Sequence, residues 1–363
     1  MRSQSRRLVG AKVIRFSDPV ERARTASRAS LRYVCCGDAG IRRIKKGKGF
    51  IYTLPNGKRL TNAADLERIR KLALPPAWTR VWICTERHGH LQATGYDARG
   101  RKQYRYDARW RTARDEVKYQ DLLEFAAQLP KLRRVLQQHL GAPGLNREKV
   151  LATIVSLMAQ TGVRIGNERY RQENGSFGLT TLLDRHAKIT THRVEFAFRG
   201  KGGKPYRTSV RDRALAGIVR RCRDVPGQRL FQYIDQDGSY QAVDSGDVNE
   251  YVQRLSGARF TAKTFRTWIA SVLTLAELRR VEAAAAASGR KRQLNQAIGA
   301  IAEQLGNTLA ICRKSYVHPG LMQSFLVGEL TPKQRMRRAG LTAEECDLVS
   351  VLERASVIRR AAA

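Results

Sequence analysis

Acidic residues are scarce in this chain: 32 Asp and Glu stand against 68 Lys and Arg, a formal charge of +36 over 363 residues. The excess is spread along the sequence, so the surface repels itself unless it meets a polyanion. The six cysteines, at 35, 36, 84, 222, 312 and 346, include no C-x-x-C pair and no metal-ligand spacing with the six histidines. That pattern argues against a disulfide scaffold or a zinc site and for reduced thiols in a cytoplasmic protein. No run is apolar enough to cross a membrane, and the start, MRSQSRRLVGAKVIRF, lacks the apolar core of a secretory signal. No G-x-x-x-x-G-K-[ST] loop offers a nucleotide site. Among polyanions, nucleic acid fits best, because many Lys and Arg contacts to phosphate gain from counterion release.

Periodicity divides the chain into three. Residues 1–30 read as a flexible basic extension. Residues 31–112 read as a small β-rich domain: apolar and polar residues alternate over Ile41 to Thr53 and Arg80 to Tyr106, with turns at Asn56-Gly57 and His88-Gly89. One helix, Asn62 to Leu72, interrupts them, capped by Asn62 or Thr61 and stopped before Pro75-Pro76. From 113 to 363 the spacing turns helical, with helices expected over 116–129 and 131–139 on either side of Pro130, and over 146–161, 214–222, 245–255, 264–280 and 342–357. Val281 to Ser288 reads as an Ala-rich helical end. A hairpin interrupts the helices at 188–210, with Lys201 at its Gly-rich tip. The fold class is α+β, a β-rich domain followed by a mainly α-helical one.

Candidate chemistry centres on GNTLAICRKSY, Gly306 to Tyr316. A phenol titrates near 10 and is a poor nucleophile at neutral pH unless positive charge favours its phenolate. On one unbroken helix Asn307 and Tyr316 would lie on opposite faces, about 13 Å apart, so shared chemistry requires a bend between them. Three more positions stand out: Arg164 in TGVRIGNERY, Lys201 in FRGKGGK and Arg266 in KTFRTW. In the smaller domain, GRKQYRY places Lys102, Tyr104 and Tyr106 on one face of a strand, beside Arg101, which reads equally as a DNA-contacting surface or as the ordinary two faces of a strand, one buried and one solvated. Asp235-Gln236-Asp237-Gly238 reads as a polar turn and His88-Gly89-His90 as half of a metal site with nothing to complete it.

The order Arg, Lys, Arg, Asn, Tyr in these contexts resembles the type IB DNA topoisomerases, in particular their short viral-like (poxvirus-type) bacterial branch, over about Leu74 to His318. The resemblance implies a two-domain clamp around duplex DNA that relaxes supercoils through a 3′-phosphotyrosyl intermediate, without metal, nucleotide or other cofactor. Tyr316 would be the nucleophile, Arg164 and Arg266 the phosphate-binding arginines, Lys201 the general acid and Asn307 a further donor. Lys263 falls where the family keeps a helper lysine. Tyr104, Tyr106 and Tyr170 would contact DNA. Many relatives have His at the position of Asn307, which cannot donate from a cationic ring. Such an enzyme would act as a monomer on DNA, in the bacterial cytoplasm at the nucleoid. A tyrosine recombinase is the nearest alternative, disfavoured by Lys263 where it typically has His. A non-enzymatic basic DNA binder is the other.

Overall fold

A computed structural model describes residues 19–98, 100–257, 260–330 and 337–361. The chain forms two compact units, Met1–Gln120 and Asp121–Ala363.

The first unit is a five-stranded antiparallel sheet of β1 (Gly40–Lys46), β2 (Gly49–Thr53), β3 (Thr79–Cys84), β4 (Leu91–Tyr96) and β5 (Lys102–Tyr106), ordered β2-β1-β3-β4-β5. Both faces of β3 are covered. Val81 and Ile83 join Ile41, Leu60, Ile69 and Ala93 on one side, and Trp82 and Cys84 join Val34 and Leu91 on the other. The first side takes its cover from α2 (Ala63–Lys71), whose N-cap Asn62 accepts from the Asp65 amide at 3.0 Å. Within the stretch expected to be a flexible extension, Pro19–Arg28 forms helix α1, since Ala26 is fully buried in a cluster with Leu31 and Trp110. Residues 1–18 lie outside the described residues.

Helix α3 runs unbroken from Ala108 to Gly141 with Pro130 inside it, where two helices were expected. A proline in a helix interior costs about 3 kcal/mol. Leu122, Phe125, Ala126 and Leu129 before it, and Leu132 and Leu136 after it, are buried at helical spacing and outweigh that cost.

In the second unit the central helix is α4 (Arg147–Thr161), apolar on most of its circumference and packed by α6 (Arg213–Arg223), α7 (Ser245–Ser256) and α8 (Ala262–Leu278). Short α5 (Glu168–Asn174) follows it, and β6 (Ala187–Ile189), β7 (Arg193–Arg199) and β8 (Pro205–Arg211) make the hairpin sheet with Lys201 in the β7–β8 turn. Strands β9 (Gln232–Ile234) and β10 (Tyr240–Ala242) form a second hairpin. Asp235 and Asp237 sit in its turn, and Asp237 accepts from the Ser239 amide at 2.9 Å, as expected of a polar turn.

The chain ends in α9 (Ala287–Gln304), α10 (Leu309–Ser315), α11 (Pro319–Leu326) and α12 (Ala343–Ala361). The run before Ala287 is not helical, against expectation. Its carbonyls at Ala284 and Ala285 accept from Arg290, and the Ala284 amide donates to Gln293 at 3.0 Å, so side chains of α9 replace the helix ladder there. Helix α12 packs on α8 and α11. Its Glu345 receives both Arg133 nitrogens, at 2.8 and 2.7 Å, together with Trp268 Nε1 at 3.0 Å and the Thr342 amide at 2.9 Å.

Candidate active site

Tyr316 stands half-buried at the C-terminal end of α10, where the chain leaves the helix with φ −131° and ψ −27°. Asn307 lies before Thr308, the N-cap of the same helix, and Gly306 turns the backbone at φ +60°. The break that shared chemistry demanded between Asn307 and Tyr316 is at Thr308, whose extended backbone (φ −91°, ψ 155°) leaves Asn307 outside the helix. Any side chain at Gly306 would be strained, and a Cβ would meet the Tyr206 ring at 2.9 Å.

Arg266 projects from the first turns of α8 and is only 4% exposed. Its guanidinium donates to the carbonyl oxygens of Gly162 and of Leu305, the latter at 3.0 Å, while Nε has no partner among the described residues. Gly162 ends α4 in the left-handed region at φ +65°, which turns its carbonyl out of the ladder. A Cβ there would come within 2.4 Å of Leu305. The guanidinium carbon lies 5.1 Å from the centroid of the Tyr316 ring.

Arg164 sits in the loop between α4 and α5 and donates to the Gly306 carbonyl at 3.1 Å and to the side-chain carbonyl of Asn307. This loop is clamped by its neighbour. The Arg164 and Ile165 carbonyls accept from the amides of Leu179 and Thr180 at 2.9 and 2.7 Å, and Arg229 links Glu168 to the Thr180 carbonyl.

Among the described residues, neither arginine meets a carboxylate: neutral carbonyls hold both. Two positive charges are thus fixed and uncompensated beside one phenol. Burial pushes the Tyr316 phenol up, but Arg266, Arg164 and Lys263 together hold it below its ordinary value. Burial and the like charge of Arg266 lower Arg164 as well. Asn307 is 8% exposed and its Nδ2 has no partner among the described residues, so a buried donor is available beside the two arginines.

The structure brings together Tyr316, Arg164, Arg266 and Asn307, with Lys263 close enough to act on the phenol. Lys201 is not among them: it is exposed in its turn. Tyr170 is 52% exposed on α5. In the first unit Lys102, Tyr104 and Tyr106 do share a face. The two rings stack at 6.0 Å and 8°, with the ammonium 5.8 Å from the Tyr104 centroid. Arg101 pairs with Asp97 at 2.7 Å. His90 is a core residue, stacked on Tyr33 at 4.3 Å and accepting from the Val34 amide at 3.1 Å, and its surroundings hold its pKa down to about 4, burial being the main cause. Sequence reading missed Tyr206, which packs under Gly306, and Ser271, five residues after Arg266 on α8. No motif marks either.

The family model for the catalytic core of eukaryotic DNA topoisomerase I matches residues 107–335, and that for the N-terminal domain of bacterial DNA topoisomerase IB matches residues 49–97. The chain is 33% identical over 285 residues to DNA topoisomerase 1B of Acanthamoeba polyphaga mimivirus, covering 77% of this chain and 85% of that one. It is 20% identical over 233 residues to DNA topoisomerase 1B of Vaccinia virus (strain Copenhagen), covering 63% and 70% respectively. Among solved structures, the XerH site-specific recombinase bound to its difH substrate aligns over 52% of this chain and 47% of that one, at 16% identity and a TM-score of 0.33. With the core model spanning most of the helical unit and the bacterial N-terminal model falling on the sheet, the chain belongs to the type IB DNA topoisomerases.

Proposed function

We propose that Tyr316 is the nucleophile of supercoil relaxation and that Arg164, Arg266 and Asn307 form the site that holds the scissile phosphate. The observation that carries this reading is the pair of carboxylate-free, carbonyl-held guanidiniums facing a half-buried tyrosine whose phenol they depress. Attack of Tyr316 Oη on phosphorus forms the phosphotyrosyl bond and builds charge on the non-bridging oxygens. Arg266 Nε and Asn307 Nδ2, both without partners among the described residues, are donors for that charge in a preorganised setting. As the bond to the 5′ oxygen breaks, that oxygen takes a proton from Lys201, carried on its hairpin tip. The phenol proton leaves to solvent. Reversal reseals the strand, and because the phosphotyrosine conserves the bond energy, neither nucleotide nor metal is required.

Lys102, Tyr104, Tyr106 and Arg101 in the first unit, with Lys263 and Tyr170 in the second, are proposed as contacts to duplex DNA. The protein would act as a monomer on DNA in the bacterial cytoplasm, at the nucleoid, a placement supported by the bacterial N-terminal family match.

The test is relaxation of supercoiled plasmid in EDTA without ATP, run beside Tyr316→Phe. The native protein is expected to relax supercoils of both signs. Tyr316→Phe should bind DNA equally well and leave no covalent adduct after a denaturant quench. Strict dependence on Mg²⁺, or an adduct surviving in Tyr316→Phe, refutes the reading.

A further inference from the structure

Tyr316 hangs between two helices that cannot hold it. Its own amide and that of Val317 both donate to the Cys312 carbonyl, at 2.9 and 3.1 Å, closing α10. Beyond that point the Tyr316 carbonyl has no ladder to accept from, and the His318 amide precedes the first turn of α11, where helix amides are orphans. Both groups go to one hydroxyl on a different element. Ser271 Oγ accepts from the His318 amide at 3.1 Å and shares its proton between the Tyr316 carbonyl at 3.2 Å and the Thr267 carbonyl at 2.9 Å. Ser271 has no exposed surface. It lies on α8, the helix that also presents Lys263 and Arg266.

We infer that Ser271 is a positioning residue for the nucleophile: it ties the Tyr316 carbonyl and the backbone just after it to the helix bearing the phosphate-binding arginine, and so sets the distance between phenol and guanidinium. This rests on the assignment of Tyr316 as nucleophile. The hydroxyl never reaches the DNA; it acts through the tyrosine's main chain. Catalytic geometry tolerates little looseness, and a misplacement of about 1 Å can cost about 10²-fold in rate.

Ser271→Ala is expected to bind DNA with unchanged Kd and to cleave in single turnover about 10- to 100-fold more slowly. Its pH–rate midpoint should move to higher pH, because a phenol drifting from Arg266 regains its ordinary pKa. Thr274→Val, one turn further along α8 and equally buried, removes a hydroxyl that has no partner among the described residues. It should leave rate and midpoint unchanged, and Ser271→Thr, which keeps the hydroxyl, should recover most of the rate. If Ser271→Ala fails to fold, Ser271→Cys, with nearly the same volume and a weaker donor, carries the same measurement. A full rate in the alanine variant, or a slowed rate with no movement of the midpoint, overturns the inference. Tyr316→Phe run alongside separates the two claims: an adduct in that variant removes the nucleophile assignment, whereas a dead Tyr316→Phe beside a fully active Ser271→Ala removes the tether alone.

Discussion

Arg164 donates to the side-chain carbonyl of Asn307, and that one bond decides which way the amide faces: Oδ1 is taken by the guanidinium, so Nδ2 is left as a buried donor without a partner among the described residues. A short polar side chain that carries no charge can therefore lend a proton to an anion while leaving the arginine's charge intact.

Asn307→Asp should separate stability from catalysis. The carboxylate would pair with Arg164, strengthening the contact in the folded protein. It would also lose the free donor, neutralise one of the two positive charges and push the Tyr316 phenol up. Thermal unfolding should show an unchanged or raised Tm, while single-turnover cleavage should fall about 10²- to 10³-fold, the usual cost of one lost oxyanion donor. Cleavage within a few-fold of the native rate would contradict the role given to Nδ2.

Cleavage should rise with pH and level off below the ordinary phenol value near 10, because Arg266, Arg164 and Lys263 outweigh burial at Tyr316. Removing a charge reverses that balance. In Arg266→Gln the midpoint should move upward, measured as single-turnover adduct formation across pH 6 to 11. An unmoved midpoint would mean that the guanidinium over the ring does not set the phenol's acidity.

Lys201→Ala should bind DNA normally and cleave about 10²- to 10⁴-fold more slowly, the span of a general acid. A substrate with sulfur in place of the bridging 5′ oxygen needs no proton on departure. It should restore cleavage by Lys201→Ala and leave Arg164→Ala and Arg266→Ala slow, since those arginines act on the non-bridging oxygens. Equal failure of all three on the sulfur substrate would leave Lys201 as a phosphate contact.

Glu168 makes a pH-dependent contribution to the loop that carries Arg164. Hydrogen bonds from Arg171, then from Arg229, hold its carboxyl down to about 2. A carboxylate whose folded pKa lies below its unfolded value near 4.3 stabilises the fold above that value and loses the contribution as pH falls toward 2. Its side chain is 38% exposed, so solvent screening limits the effect to about 1 kcal/mol. Urea unfolding should find Glu168→Gln less stable than the native chain at pH 7, with the gap narrowing from pH 4.5 downward. A gap independent of pH would remove the ionic cause.

Much of this site is legible in the order of the residues. Arg164, Arg266, Asn307 and Tyr316 each sit in a short run of Gly, Arg or aromatic residues, and the need for a bend between Asn307 and Tyr316 follows from helix geometry. What the sequence does not carry is how neutral partners hold the charges. The carbonyls of Gly162, Leu305 and Gly306 accept from the arginines, and a backbone carbonyl is the same in every residue type. Ser271 is invisible for the same reason, being one hydroxyl among many whose partners are main-chain groups 45 and 47 residues away. In the fold, the strands of the first unit are legible from alternation and turn residues, whereas Pro130 misleads because a local rule yields to packing on either side. The Ala-rich run before Ala287 fails in the opposite direction: high helix propensity loses to hydrogen bonds from Arg290 and Gln293.

Glu345 lies beyond residue 335, where the match to the catalytic-core family ends, yet its carboxylate joins Trp268 on the arginine-bearing helix to Arg133 on the long helix α3. Helix α12 is therefore a buttress, not an appendage. A chain cut after the tyrosine segment would keep each residue proposed for the chemistry, but it would strip the cover from α8 and leave the Trp268 indole without its acceptor. The helix that carries Arg266 is thus held partly from outside the matched core, by a carboxylate bonded to Trp268 and Arg133.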